Sequence, residues 1–235
     1  MRKLVTFLFA FYWLVGIGAL PVYADAIKDM DVAEEVQTLD FYQGYGVLDI
    51  DSLEEYVIQD IHNDVTDENL IRNSIDYSET LKIYYYNDLF ADSVDISDME
   101  AVKSSADDVL YSLPVYCGNA TYCYHISMGK AMTEESLSQY SEEYAAKLQK
   151  MVGKWNVGSD TKLEGFYSEK QALLAALNEA GFQEADVLLI QIPLYGWITA
   201  ACYTDEEKPL FVSLIENKDE ENGDYLFTSV LYTYG

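Results

Sequence analysis

Residues 109–127 read VLYSLPVYCGNATYCYHIS, and this stretch decides the predicted fold. Its two halves, 109–116 and 121–127, are rich in the β-branched and aromatic residues that are typical of strands. Gly118 and Asn119 lie between the halves, and both residue types are common in tight turns. The stretch therefore predicts an antiparallel hairpin from which a sheet is built outward.

Further strands are predicted on both sides of this hairpin. Residues 80–86 (TLKIYYY) form one such run, and the C-terminal part of the chain contains four more. The four runs span 186–195, 197–204, 209–216 and 225–234. Charged turns connect the last three runs, and successive hairpins of this kind predict a C-terminal β-meander.

Helices are predicted between the strands. Capping residues open helices over about 51–61 and 98–105, and a capping box at Ser168 opens a third that ends before Gly181. Apolar residues at spacings of three and four predict one longer helix over about 134–155. The apolar stripe consists of Leu137, Tyr140, Tyr144, Leu148, Met151, Val152 and Trp155. The order of elements predicts an α+β fold, with helices packed on antiparallel sheet.

A faint internal repeat adds a hypothesis about domain organisation. Residues 106–116 align with 185–195 at an offset of 79, and the same offset places Cys123 on Cys202. Tandem strand–helix–hairpin units over about 80–130 and 160–235 would explain the similarity, and chance convergence of apolar strands is the alternative. Pro114 and Pro193 predict an edge position or a bulge in each unit, because proline cannot donate a ladder hydrogen bond.

The N-terminus has the pattern of a signal peptide. Two basic residues precede the apolar run 4–20, and Ala24 lies where signal peptidase requires a small residue. We expect cleavage between Ala24 and Asp25, with an uncleaved anchor helix as the alternative. An acidic, partly ordered segment (25–50) and a globular α+β region (51–235) follow. The predicted location is extracellular, either secreted or at the cell surface.

Charge narrows the classes of partner. The chain has a formal net charge of −27, from 41 acidic and 14 basic residues. Nucleic acid and anionic membrane surfaces would be repelled, so neither is expected to bind the mature protein. The expected partner is a protein or an extracellular polymer. The 21 tyrosines favour such contacts, because tyrosine provides contact area at low entropic cost.

Three cysteines are too few for a disulfide framework or a zinc site. Cys117 and Cys123 flank the predicted turn and would lie opposite each other across a five-residue loop. A two-residue turn would instead place Cys117 opposite Ala120 and exclude that disulfide. A pair between Cys123 and Cys202, or three reduced thiols, are the alternatives.

Catalytic and metal-binding motifs are absent from the sequence, which contains no GxxxxGK[ST], GxGxxG, HExxH or GxSxG. Cys123 and His125 share one face of a strand, and we interpret them as a buried thiol beside a structural histidine. The acidic residues Asp92, Asp95, Asp98 and Glu100 lack the spacing of a calcium loop, so helix capping by Asp98 is the preferred interpretation. No catalytic, cofactor-binding or metal-binding residue is assigned.

These observations predict a secreted, acidic, non-catalytic module that binds a protein. Two alternatives stay open: a secreted hydrolase with a glycosidase-like carboxylate pair, and a binder of extracellular polysaccharide. Two opposed acids in a pocket would indicate the hydrolase. A row of coplanar exposed aromatic rings would indicate the polysaccharide binder.

Overall fold

The computed structural model describes residues 33–41, 52–90, 94–166, 168–182, 185–192, 198–204, 208–218 and 225–232. The proposed signal peptide, its cleavage site at Ala24 and Asp25, and the residues Asp92 and Pro193 lie outside these ranges. No helix among the described residues has both the length and the apolar character that crossing a membrane requires.

Seven α-helices and eight strands are described. The helices are α1 (Ala33–Gln37), α2 (Leu53–Ile61), α3 (Glu68–Asn73), α4 (Met99–Ser104), α5 (Glu134–Leu137), α6 (Glu142–Met151) and α7 (Glu169–Glu179). The strands are β1 (Leu81–Tyr85), β2 (Asp108–Cys117), β3 (Ala120–Met128), β4 (Trp155–Glu164), β5 (Asp186–Gln191), β6 (Ile198–Tyr203), β7 (Leu210–Lys218) and β8 (Tyr225–Tyr232). A 3₁₀ helix precedes β1 at Tyr77–Glu79.

All eight strands form one sheet in the order β4-β3-β2-β1-β5-β6-β7-β8. Neighbouring strands are antiparallel except β1 and β5, which run parallel in the middle of the sheet. The prediction of an α+β fold with helices on antiparallel sheet is therefore confirmed. The hairpin is formed by β2 and β3 around Gly118, whose φ of 67° favours glycine.

Helices cover both faces of the sheet. Ile83 packs with Leu173 of α7, whereas its neighbour Tyr84 packs with Val102 of α4. Since consecutive residues of a strand point to opposite faces, α7 and α4 lie on opposite sides. Helices α1, α2 and α3 pack over β2 and β3 on the same side as α4. The core is thus two layers of helix around one sheet.

Local capping signals placed several helices correctly. Ser52 accepts a hydrogen bond from the Glu55 amide at the start of α2, and Ser168 accepts one from the Gln171 amide at the start of α7. Gly181 follows α7 with a φ of 87°, which is the left-handed conformation expected of a C′ residue.

The prediction of a single helix over about 134–155 is wrong. The structure has two helices, α5 and α6, separated by residues 138–141, and β4 already begins at Trp155. Ser141 accepts a hydrogen bond from the Tyr144 amide and so caps a new helix where the long one was expected to continue.

The expectation that Pro114 occupies an edge position or a bulge is also wrong, because the pairing of β2 with β3 continues through Pro114 without a shift in register. Strand β2 lies inside the sheet between β1 and β3, and Pro114 is buried opposite Cys123. The ladder between β1 and β2, however, ends at the Leu81–Ser112 pair. Pro114 lies beyond that end, so its missing N–H breaks no ladder bond on the β1 side.

The register of the hairpins does not follow the offset of 79. Cys123 lies opposite Pro114, whereas Cys202 lies opposite Val187, six positions before the counterpart Pro193. Leu163, in the segment aligned with β1, pairs with Thr121 of β3. Strand pairing thus gives the duplication no support, and the tandem units stay a prediction.

Candidate functional site: the helical excursion between β3 and β4

The segment that connects β3 to β4 leaves the sheet and returns to it through a narrow stem. The Gly129 amide donates to the Lys154 carbonyl at 2.9 Å, and the Gly153 amide donates to the Gly129 carbonyl at 2.8 Å. These two bonds close the segment at its base. We call residues 129–154 the helical excursion.

Both helices of the helical excursion begin at a capping hydroxyl. Thr133 accepts a hydrogen bond from the Ser136 amide, and Ser141 accepts one from the Tyr144 amide. Neither α5 nor α6 contains a buried residue. An amphipathic helix of a globular domain usually buries its apolar stripe. The residues of the predicted stripe are present here, but three of the seven are exposed and the other four are only partly buried.

Exposed apolar side chains concentrate in this region. Among the described residues, seven large apolar side chains are extensively exposed. They are Leu70, Met128, Met132, Tyr140, Tyr144, Val152 and Phe166. Four of the seven lie in the helical excursion, and Met128 directly precedes it. Clustering of this kind marks an interaction surface more often than isolated exposure does.

Two tyrosine rings form the most prominent part of this surface. Tyr140 is 45% exposed and Tyr144 is 47% exposed. Their ring centroids are 5.4 Å apart, and the ring planes are inclined at 52°. The rings support each other, as tilted aromatic pairs do, but they do not form the flat platform on which a sugar ring stacks.

The helical excursion also differs in charge from the rest of the protein. Four of the 41 acidic residues and four of the 14 basic residues lie there, so it is formally neutral in a chain of net charge −27. The acidic ones are Glu134, Glu135, Glu142 and Glu143, and the basic ones are Lys130, Lys147, Lys150 and Lys154. The acids occupy the first turns of α5 and α6, where they suit the helix dipole.

The cysteine pair proposed from the sequence is not formed. Residues 118 and 119 make a two-residue turn, so Cys117 lies opposite Ala120 and Cys123 lies opposite Pro114. Ala120, which lies opposite Cys117, is three residues from Cys123 on the same strand. Residues an odd number apart on a strand point to opposite faces, so the sulfurs of Cys117 and Cys123 lie on opposite faces of the sheet. All three cysteines are buried thiols, which excludes the Cys123–Cys202 alternative too. Burial raises the pKa of Cys202 to about 12, so it is an unreactive thiol at neutral pH.

Cys123 and His125 share the face expected from their spacing, near the start of α7. His125 lies opposite Ser112, and the Ser112 hydroxyl donates to the Glu169 carboxylate at 2.5 Å. Burial lowers the pKa of His125, which favours the neutral imidazole at neutral pH. Ser112 is almost completely buried and its proton is directed to Glu169. A buried serine held in this way is not placed to attack a substrate.

The remaining acidic candidates have structural roles. Asp98 caps α4 by accepting from the Glu100 and Ala101 amides, which confirms the capping interpretation. Asp95 accepts from the amide and hydroxyl of Ser97. Within the described ranges, no three His, Cys, Asp or Glu side chains lie close enough together to hold a metal ion.

A pocket of about 420 Å³ lies at the start of α2. Its lining residues are Gln37, Ser52, Leu53, Glu54 and Tyr77. Among the described lining residues, Glu54 is the one carboxylate, and it forms an ion pair with Arg72. These residues do not supply the opposed pair of acids that a glycosidase needs.

Tyrosine hydroxyls attach the helical layer to the sheet. Tyr124 donates to Asp60 at 2.7 Å, and Tyr111 donates to Glu35 at 2.7 Å. Lys82 binds both carboxylate oxygens of Glu35, at 3.1 and 3.0 Å. Burial alone would raise the pKa of Glu35, but the bonds from Tyr111 and Lys82 outweigh it and lower the pKa below 4.5.

A carboxylate with a lowered pKa makes stability depend on pH. Glu35 contributes its stabilisation above pH 4.5 and loses it as the pH falls through its folded-state value. We expect Glu35→Gln to lower stability at pH 7 and to flatten the decrease below about pH 5. Urea unfolding at pH 7, 4 and 3 measures the free energy of unfolding and its decrease with acid, and Glu68→Gln is the control at an exposed position. An acid decrease as steep in Glu35→Gln as in the control would contradict the assignment.

Sequence patterns named the residues of this surface but not their role. Tyr140, Tyr144 and Met151 belong to the predicted apolar stripe, whose spacing predicts a helix and does not indicate a contact surface. The signal that could have divided the helix is the Ser141-Glu142-Glu143 sequence, since serine followed by acids is a common helix start. Comparison of the chain with protein-family models, curated proteins and solved structures gives no match.

Proposed function

We propose that this protein is an exported, acidic, non-catalytic protein-interaction module, and that the helical excursion is its contact surface. The observation that carries the proposal is the concentration of exposed apolar side chains in the helical excursion, where Tyr144 lies on α6 and Met132, Tyr140 and Val152 lie in the connections. Tyr144 of α6 forms the tyrosine pair with Tyr140 of the connection before it, and α6 contains no buried residue. Exposed tyrosines of this kind act as anchors in many protein interfaces.

Export is the part of the proposal that rests on sequence. The basic residues, apolar run and Ala24 boundary support secretion, with Asp25 as the first residue of the mature chain. The high acidity supports a partner whose contact surface is neutral or basic, since an acidic contact surface would be repelled.

We retain two finer hypotheses about the architecture of the module. One is that it contains two related units, over about 80–130 and 160–235, which the similarity of 106–116 and 185–195 supports. The other is that the second unit ends in a β-meander. The positions of β5, β6, β7 and β8 as successive neighbours in the sheet support this second hypothesis.

A double variant, Tyr140→Ser with Tyr144→Ser, tests the contact surface. Immobilised mature protein should capture its partner from the native extracellular medium, and the variant should lose most of that capture. The reason is that both changes remove exposed aromatic area without altering the net charge. Leu70→Ser with Phe166→Ser is the matched control, because these side chains are also exposed but lie outside the excursion. Equal capture by the double variant and the control would show that the contact surface lies elsewhere.

A further inference from the structure

We propose that the helical excursion binds a second copy of this chain. In this dimer, α6 pairs antiparallel with the same helix of the partner subunit about a two-fold axis. The inference rests on the proposed function, because it names the partner of that same surface. Three observations support it: the row of apolar residues on α6, the distribution of charge along this helix, and the balanced charge of the helical excursion.

Helix α6 needs a packing partner. It has ten residues, and an isolated helix of fewer than about 12 residues is marginally stable in water. Tyr144, Leu148 and Met151 are spaced by four and three residues, so they form one row along the helix. Tyr144 is extensively exposed, and the other two are only partly buried. The described part of the chain buries none of the three completely.

Charge along α6 is arranged for pairing with itself. Glu143 and Lys150 are exposed and lie two turns apart beside the apolar row. When two copies of the helix pair antiparallel, Glu143 of each copy lies beside Lys150 of the partner subunit. A two-fold interface must be complementary to itself, and the opposite charges of Glu143 and Lys150 meet this requirement. Lys147 lies between the two and is partly buried in the single chain.

Local neutrality is what favours a second copy. Two molecules of net charge −27 repel each other across most of their surfaces. The helical excursion balances four acidic against four basic residues, so contact there costs the least electrostatic repulsion. A strongly basic partner would be attracted more to the acidic body than to this segment. A neutral, apolar surface on an acidic protein therefore suits a second copy better.

Charge reversal tests the pairing. Sedimentation of the full mature chain over a concentration series should show a monomer–dimer equilibrium. Glu143→Lys alone and Lys150→Glu alone should each raise the dimer dissociation constant by about tenfold or more, since each places like charges together. Mixing the two variants should restore a mixed dimer, because each then supplies the charge that the other needs. Glu164→Lys, which makes the same charge change outside the excursion, should leave dimerisation intact.

The outcomes separate this inference from the proposed function. A protein that stays monomeric at all concentrations overturns the second copy, and capture that still requires Tyr140 and Tyr144 would then keep the surface with a different partner. Stronger association of the Glu143→Lys variant would also overturn the inference, because it would show that self-association follows net charge alone. Mixed dimers from the two reversed variants would support it.

Discussion

Replacing Leu173 by alanine is expected to lower the free energy of unfolding by about 2–5 kcal/mol. Leu173 has no exposed surface and lies on α7, which covers one face of the sheet. It packs in one cluster with Ile83 of β1, Leu189 of β5 and Ala200 of β6. The truncation would therefore leave a cavity at the junction of three strands, and the surrounding core would relax only partly around it.

Urea unfolding monitored by circular dichroism measures this loss, with an unchanged m-value as the sign that the unfolded state is unaltered. Leu70→Ala is the matched control, since it removes the same atoms from a side chain that is 47% exposed. We expect the control to lose less than about 1 kcal/mol. Similar losses in the two variants would mean that α7 does not anchor the core.

Replacing Gly129 by alanine is expected to open the base of the helical excursion, at a cost of up to about 3 kcal/mol. A Cβ atom at this position would lie 2.1 Å from the carbonyl oxygen of Met151 and 2.7 Å from its carbonyl carbon. Both atoms belong to the backbone, so no rotation of a side chain relieves the clash. The chain must shift, and the bond from the Gly153 amide to the Gly129 carbonyl is the first contact to be lost.

Gly153→Ala separates this clash from general strain at the stem. Gly153 has a φ of 75°, and no atom lies within 4 Å of the place that an alanine methyl would take, so alanine there is strained but unobstructed. We expect it to cost roughly 1–2 kcal/mol. Hydrogen exchange at the Gly153 amide should accelerate more in Gly129→Ala than unfolding of the whole protein explains. Unchanged protection of that amide would contradict the argument.

Local sequence signals predicted the parts of this fold that are determined locally. The β2–β3 hairpin follows from its turn residues and strand composition, and α7 follows from Ser168 and Gly181. Both features depend on contacts within a few residues of one another. The same holds for α4, where Asp98 supplies the cap.

Features that depend on tertiary contacts were not predicted. The outward orientation of Tyr140 and Tyr144 is decided by where the stem at Gly129 and Gly153 directs the excursion, and periodicity carries no such information. The inner position of Pro114 depends on where the ladder to β1 stops. Strand β4 was largely missed because residues 156–164 (NVGSDTKLE) contain few of the β-branched and aromatic residues that are typical of strands. The sequence thus identified the residues of the candidate surface, but it did not predict that they form an exposed surface.

The parallel pairing of β1 with β5 at the centre of the sheet, called the seam below, affects the expected speed and order of folding. Strands β1 to β4 are neighbours both in sequence and in the sheet, and so are β5 to β8. Within each half, neighbouring strands are separated by at most the 26 residues of the helical excursion. The seam pairs Tyr84 with Ile190 and Tyr85 with Gln191, and joining such distant residues carries a larger loop-closure entropy. We therefore expect pairing of β1 with β5 to be the slow step of folding, and until it happens β1 and β5 are open edges on two half-sheets.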